Sequence, residues 1–472
     1  MDETVYEVLF YDEGSIIDEL TLSVVSESDI VLPTRIKSGY NFDGWLLNNT
    51  GNPYTGSYRV TENTTFHAKF TATDSVHTVN IYDTNLNLLA SIASGTIFDV
   101  AGAKSDYSLT NLYVASSSSA ILTPAITISG DTNLYAAPNV IEITDQAGLN
   151  DIRSDYSGKY LLKNDIALVA GIDGFDPALG WESIGNNANH FTGIFNGNGH
   201  KITGLWINRP TNNRVGLFGV INNARIENLG VETASSGTVR GQEAVGGIAG
   251  YAKYSTFTNV YFKGKIVGTN FIGGITGDND ESVNIRNAYS TGNISGNDYV
   301  GGIVGGLGRY NTVSKSYSLA IIQGNNNVGG IIGHSAHDGS VRDSAAINPS
   351  LTGNRDVNYI VGLYIAGSFT NNFALSTMSG PIFNGYSYSG TPKTMFQLQE
   401  QTTYLNAVNG DGLNGLGWSF GNDYNNPWKI DASKNGGLPY FYFEDLQELN
   451  NQSLMIREHQ TFESNLKTID SQ

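Results

Sequence analysis

A six-residue phrase, returning at a nearly constant interval, restricts this chain more than anything else in it. Val245-Gly246-Gly247-Ile248-Ala249-Gly250 is followed by Ile272-Gly273-Gly274-Ile275-Thr276-Gly277, Val300-Gly301-Gly302-Ile303-Val304-Gly305 and Val328-Gly329-Gly330-Ile331-Ile332-Gly333. A variant, Arg214-Val215-Gly216-Leu217-Phe218-Gly219, precedes them. The closing glycines stand at 219, 250, 277, 305 and 333, so the steps are 31, 27, 28 and 28. Two apolar columns keep step: Phe257, Ile285, Val313, Val341 and Phe369, and Ile266, Ile294 and Ile322, each 28 residues from the last. Columns in step mean one unit copied along the chain and stacked on its neighbours. A sixth copy is read at Val361-Gly362-Leu363-Tyr364, with its second glycine lost.

The apolar runs are short, rich in Val and Ile, and bounded by Gly, Asn, Asp and Ser, which reads as strand rather than helix. Three such strands and three bends fill one repeat and close a triangular coil. Coils then pair edge to edge with a rise of about 4.8 Å. The glycine pairs are expected at bends where a Cβ would clash or where φ must be positive. A propeller blade needs about 40 or more residues. The expected fold class is therefore all-β, a β-solenoid.

Composition narrows the function. The chain has 472 residues, enough for more than one domain, and 40% are apolar. Only 15% are charged and 56 are Gly, which suits many short strands and turns. With no Cys, disulfides and thiolate chemistry are excluded. A net charge of −18 opposes binding to duplex nucleic acid or to anionic membranes. No run approaches the roughly 20 apolar residues that cross a bilayer, so no membrane insertion is expected of this segment. Met1-Asp2-Glu3 lacks the basic start and apolar core of an export signal.

Four regions follow in order: 1–72, 73–138, 139–443 and 444–472. In the first, Ser38-Gly39-Tyr40-Asn41-Phe42-Asp43-Gly44-Trp45, closed by Asn63-Thr64-Thr65-Phe66-His67-Ala68-Lys69-Phe70, resembles the Listeria–Bacteroides (internalin B-type) repeat. That resemblance implies a small β-grasp-like module, a spacer on bacterial surfaces, with Tyr40, Phe42 and Trp45 as core. Region 73–138 repeats it in degenerate form: Val76, Tyr82 and Asp83 lie 71 residues after Val5, Tyr11 and Asp12, without the Gly-Trp phrase. In the third, Val-Gly-Gly-Ile-x-Gly, followed by Ile285-Arg286-Asn287-Ala288-Tyr289-Ser290-Thr291-Gly292, resembles the GLUG repeat. GLUG repeats occur in bacterial surface proteins, including adhesins and the non-catalytic parts of immunoglobulin A peptidases. Phe191-Thr192-Gly193-Ile194-Phe195-Asn196-Gly197-Asn198-Gly199 resembles the opening coils of right-handed parallel β-helices. A short helix near 145–152, capped by Asp145 or Thr144, is expected to cover the first coil. A second helix is expected over 394–408, and the stretch around Trp418, Trp428 and Phe441 as the C-terminal cap. Region 444–472 turns polar and reads as a helical or disordered tail. The resemblances imply a piece of a longer exported chain, extracellular or on the cell surface.

Chemistry is sparse. The seven histidines include no His-Glu-x-x-His, so the zinc peptidase motif is absent and neither a metal nor a cofactor is expected. His334 and His337 sit in a Gly-rich bend. Asp278, Asp280 and Glu281 share one loop, Asp173 and Asp176 another; paired carboxylates hydrolyse glycosides only at set separations, and Asp278–Glu281 reads as a solvated turn or a weak calcium site. No catalytic residue is assigned, although parallel β-helices do host carbohydrate-active enzymes.

One column, Tyr261, Tyr289 and Tyr317, is the candidate binding feature. Strict alternation turns it inward with Phe257 and Ile285. The column two before it, Asn259, Asn287 and Lys315, then also faces the core side of a bend, where an unpaired Lys is not tolerated. A bend there would reverse the phase, bury Val260, Ala288 and Ser316, and turn the tyrosines outward as a ladder for sugars or protein. Both alternatives stand. The expected function is a monomeric, non-catalytic structural or adhesive segment that contacts a protein or glycan of a host or neighbouring cell. The alternatives are a carbohydrate-active β-helix enzyme and a glycan-binding module.

Overall fold

Each repeat is a coil with three left-handed corners. Asn228, Asn259, Asn287, Lys315, Asp343 and Asn371 form one corner column. Arg214, Ala244, Phe271, Tyr299, Asn327 and Asp356 form the second, and Asn223, Tyr254, Ser282, Tyr310 and His337 the third; all have φ between 48° and 64°. Asn and Asp enter this region at little cost, but Phe271 and Tyr299 do so under strain that the surrounding coils must hold. The computed structural model describes residues 4–445 apart from 13, 18–19, 38–39, 73–76, 96, 381–389 and 406–414. The chain divides into two compact units, Met1–Val140 and Ile141–Gln472. The coils belong to the second.

Between corners the backbone is extended, and successive coils pair in parallel. Glu243–Gly246, Asn270–Gly273, Asp298–Gly301, Asn326–Gly329 and Arg355–Asn358 make a five-stranded face. Phe218–Asn222, Ala249–Lys253, Thr276–Glu281, Val304–Arg309, Ile332–Ser335 and Val361–Tyr364 make a six-stranded one. The third face carries Arg225–Thr233, Thr256–Val267 and Asn284–Ser295, then shorter strands. The apolar columns meet as their spacing predicts: Phe257 pairs with Ile285, Ile285 with Val313, and Val341 with Phe369. The β-solenoid is therefore present, and its core is a pile of like side chains.

The phrase glycines act through close approach alone; none has a positive φ. A Cβ on Gly274 would lie 2.2 Å from the Gly302 oxygen of the next coil, and one on Gly277 would lie 2.3 Å from the Ala244 carbonyl carbon of the previous coil. The left-handed residue is instead the one before each phrase. The sixth copy also needs correction. Val328 pairs with Val357 and Ile332 with Val361, so that copy is Val357-Asn358-Tyr359-Ile360-Val361-Gly362. It has lost both paired glycines and kept the last.

At the start, Asp145 caps Gln146–Asp151 by accepting from the Gly148 amide at 2.9 Å, and Leu149 and Ile152 are fully buried in the solenoid core. The expected helix over 394–408 is shorter: Met395–Leu398, opened by a capping box between Thr394 and Gln397. It stops because Thr403 Oγ1 and Tyr404 Oη donate to the carbonyls of Gln397 and Leu398 at 2.5 and 2.6 Å, folding the chain back. Residues 406–408 of that expectation, and the tail beyond Asp445, lie outside the described residues.

In the first unit, Val5–Asp12 pairs in parallel with Thr64–Ala72, and Tyr40–Leu47 lies antiparallel to Thr64–Ala72. Trp45 is fully buried, donates to the Pro33 oxygen at 2.6 Å and packs on Phe10 and Phe42; Tyr40 is 38% exposed and lies outside that core. Gly44 has φ +126°, and a Cβ there would meet the Tyr54 oxygen at 2.5 Å, which explains the glycine before the tryptophan. A second core gathers around Val79, Ile81, Phe98 and Leu134, with His77–Tyr82 parallel to Thr132–Tyr135. Its helix, Val100–Asp106, capped by Asp99, buries only Val100 and Ala103 and so leaves no periodic trace in the sequence.

Candidate functional site

The three tyrosines stand in one stack, but under cover. Tyr261, Tyr289 and Tyr317 lie ring on ring at 5.1 Å and are at most 1% exposed. The left-handed corner at Asn259, Asn287 and Lys315 reverses the side-chain phase. Phe262, Ser290 and Ser318 therefore point inward against Gly247, Gly274 and Gly302, and the tyrosines lie outside the coil wall. The outward phase is thus found, but the solvent-exposed ladder is not, because residues 415–445 fold back along this flank. Tyr289 Oη donates to the Glu444 carboxylate at 2.9 Å, and Tyr317 Oη to the Pro439 oxygen at 2.6 Å. Burial, then the Glu444 charge, push the hydroxyls of all three well above their usual range. No face of these rings is offered to a ligand.

The neighbouring corner column is equally occupied. Asn228 donates to Asn196 at 3.2 Å, Asn259 to Asn228 at 2.8 Å, and Asn287 to Asn259 at 2.9 Å. This buried amide ladder satisfies its own polar groups coil by coil. Lys315 breaks it and reaches outward to the Gly417 carbonyl of the returning segment. The strap starts beside Asn371, which donates to the Gly415 oxygen at 3.1 Å. It reaches Asn259, which donates to the Tyr424 oxygen at 3.0 Å, and doubles back over Tyr317. The stretch read as a C-terminal cap is thus a strap along the side.

What remains open lies on the six-stranded face. A groove of about 410 Å³ is lined by Tyr251, Phe271, Asp278, Asp280 and His334, with Leu307 and Gly308 on its floor. Phe271 and Tyr299, the strained corner pair, stack at 4.7 Å, and the His334 ring is 4.9 Å from Tyr299. Gly306 keeps the groove open: a Cβ there would lie 2.5 Å from Asp278 Oδ1 and 2.7 Å from Phe271 Cδ1. Sequence reasoning missed this feature. Its only signal was two aromatics, each one place before a repeat phrase.

The carboxylates of the groove differ. Asp280 accepts from Lys253 Nζ at 2.9 Å and Tyr251 Oη at 3.0 Å, and the Lys253 bond foremost holds it below the usual range. Glu281 accepts from Tyr254 Oη at 2.6 Å. The three carboxylates lie on the strand Thr276–Glu281 rather than in a loop, and these partners hold two of them. Asp278 is pushed up to about 6 by burial and by the Asp280 charge. In the other loop, Asp176 accepts from the amides of Ala178 and Leu179 at 2.7 and 2.8 Å, which makes it a turn former. Burial, then His337, lowers the His334 imidazole, leaving it neutral at physiological pH. Among the described residues no three His, Asp or Glu side chains converge as metal ligands.

The sign for Asp278 follows from its raised value. A neutral carboxyl is favoured in the fold, so its contribution is complete below the ordinary Asp value and is lost as pH rises through about 6. Wild type should therefore lose thermal stability relative to Asp278→Asn as pH rises from about 4 to 7. Parallel melting curves across that window would contradict the assignment.

Residues 6–69 match the Listeria–Bacteroides repeat domain. A stretch of 127 residues, 26% of this chain, is 42% identical to 14% of a protein of Evansella cellulosilytica named as a Gly-rich membrane protein. A stretch of 142 residues, 30% of the chain, is 34% identical to 2% of the halomucin of Haloquadratum walsbyi. The chain thus spans a small part of the length of the curated relatives it matches. Among solved structures, one from Bacteroides ovatus, described as an immunoglobulin A1 protease, aligns at a TM-score of 0.49 and 20% identity, over 65% of this chain and 93% of that one. An IgA1 protease aligns at 0.38 and 17%, over 53% of this chain and 21% of the other.

Proposed function

We propose that this chain is a non-catalytic segment of a bacterial surface or exported protein, in which a stiff stack of coils carries a sugar-binding groove. The observation that carries the reading is the continuous strapped core. One hydrophobic cluster runs from Ile143 to Phe443, so the coils resist bending as one body. The GLUG-like repeats, the Listeria–Bacteroides match and the two surface-type relatives support placement outside the cell. Brief trypsin treatment of intact source cells is expected to release peptides from 141–445. Release only after lysis would overturn the placement.

The groove replaces the tyrosine column as the contact surface. Phe271 and His334 line it with ring surface for stacking, Tyr299 packs against both, and Asp278 offers an acceptor for hydroxyls. On a glycan array, Phe271→Ala should weaken binding about tenfold or more, since one stacked ring contributes on the order of 1–2 kcal/mol. An array without hits, or binding untouched by Phe271→Ala, would remove the groove from consideration. Hydrolysis is the second reading, favoured by one fact: Asp278 and Asp280 sit in environments that separate their protonation. The bonds from Lys253 and Tyr251 to Asp280 argue against a free base or nucleophile. Turnover of a glycan, abolished by Asp278→Asn, would establish the enzyme instead.

A further inference from the structure

The 31-residue step of the repeat puts its extra chain beside a second groove. Glu232 pairs with Lys263 and Val239 with Ile266, so residues 233–238 stand where the next coil has only 264–265. The insertion is tied back on either side of Trp206. The Ala234 amide donates to the Leu205 oxygen at 3.2 Å, and the Ile207 amide to the Thr238 oxygen at 2.9 Å. A turn between these ties, from the Gly237 amide to the Ala234 oxygen at 2.8 Å, holds the loop compact. Ser236 and Thr238 of the loop, with Trp206, Asn208 and Arg240, line a groove of about 450 Å³, within the size range of ligand sites.

Trp206 differs from the other four tryptophans. Trp45, Trp181, Trp418 and Trp428 each donate the indole N–H to a protein oxygen. The Trp206 N–H has no such partner among the described residues, and it is not sealed from solvent either. Its ring is only partly buried, leaning on Phe175 with centroids 5.5 Å apart, and its carbonyl is fixed by the Trp181 amide at 2.9 Å. Arg240 brings charge to the same groove. It is exposed, and among the described residues its guanidinium has no ion pair and no hydrogen bond. No carboxylate lines this groove, whereas Asp278 and Asp280 line the one on the six-stranded face. In a chain with 44 acidic and 26 basic residues, that is a local reversal of sign.

We infer that the Trp206–Arg240 groove takes a pyranose that carries a carboxylate, with its C–H face on the indole and its acid group on the guanidinium. An indole presents a flat apolar surface with one donor at its edge, which suits a sugar ring rimmed by hydroxyls. A guanidinium matches the two oxygens of a carboxylate in one plane. The hydroxyls of Ser236 and Thr238 and the amide of Asn208 supply the remaining donors and acceptors. A neutral pyranose would use the ring and leave the charge idle. A free carboxylate would use the charge and leave the ring idle. No lining residue is shared with the groove on the six-stranded face, so this inference stands or falls apart from that reading.

The test is an NMR titration of the full chain, following indole N–H signals, with methyl β-D-glucuronide, methyl β-D-glucoside and sodium acetate. The Trp206 signal is the one lost in Trp206→Phe. The glucuronide should move that signal and bind about tenfold tighter than the glucoside, while acetate leaves it in place. The signals of Trp45, Trp418 and Trp428, already bonded within the protein, should not move. Arg240→Gln, at an exposed position, should bring the two pyranosides to equal affinity. A Trp206 signal unmoved by the glucuronide, or equal affinity for both pyranosides in the wild type, overturns the proposal. So does a response to acetate equal to that to the glucuronide, or a preference that survives Arg240→Gln.

Discussion

Trp428→Ala is expected to lower the stability of the second unit by about 3–5 kcal/mol. Its ring is fully buried, stacked on Trp418 at 4.5 Å and on Phe441 at 4.4 Å, with Tyr317 at 5.9 Å. Its Nε1 also donates to Asn287 Oδ1, the last rung of the amide ladder, at 3.4 Å. Truncation opens a cavity, removes the ring contacts and leaves a buried acceptor short of a donor, three losses that add in one direction. Urea unfolding followed by the fluorescence of the remaining tryptophans measures the shift. A change under about 1 kcal/mol would mean that the strap is a passenger on the coils.

Gly274→Val should be at least as severe, at about 4 kcal/mol or more. Its Cβ would lie 2.2 Å from the Gly302 oxygen and 2.4 Å from Ser290 Cβ, and the first of these is backbone belonging to the next coil. The coils can relieve the overlap only by parting, which breaks ladder hydrogen bonds on every face. Gly130→Val, in the first unit, is the uncrowded comparison: nothing lies within 4 Å of a Cβ there, so its effect on that unit should fall within about 0.5 kcal/mol. Equal effects of the two substitutions would refute the close-approach account of the repeat phrase.

These two sites mark what the sequence could and could not disclose. Gly274 was legible because the neighbour of each coil is another copy of it; any constraint between coils must recur at the period, and the pairing of Phe257 with Ile285 was readable for the same reason. The period says nothing about what lies against the outside of a coil. Trp428, Phe441 and Glu444 occur once each, so the cover on Tyr289 could not be inferred from the column that contains it. The sixth copy slipped in phase because Asn358 and Tyr359 had replaced the marker glycines, leaving one Gly to align by. The groove was illegible for a further reason: it depends on backbone corners at Phe271 and Tyr299 whose φ no residue type there announces.

The order of the strap along the polypeptide has a consequence for biogenesis. Glu444 lies 155 residues after the Tyr289 that it covers. At a ribosomal pace of about 5–20 residues per second, the aromatic flank stays bare for roughly 8–30 s after it emerges. For that interval the nascent solenoid is adhesive toward its own kind, and a chaperone or a narrow secretion conduit would have to shield it. Nascent chains arrested at 405 should therefore bind a hydrophobic dye that chains arrested well beyond 445 do not.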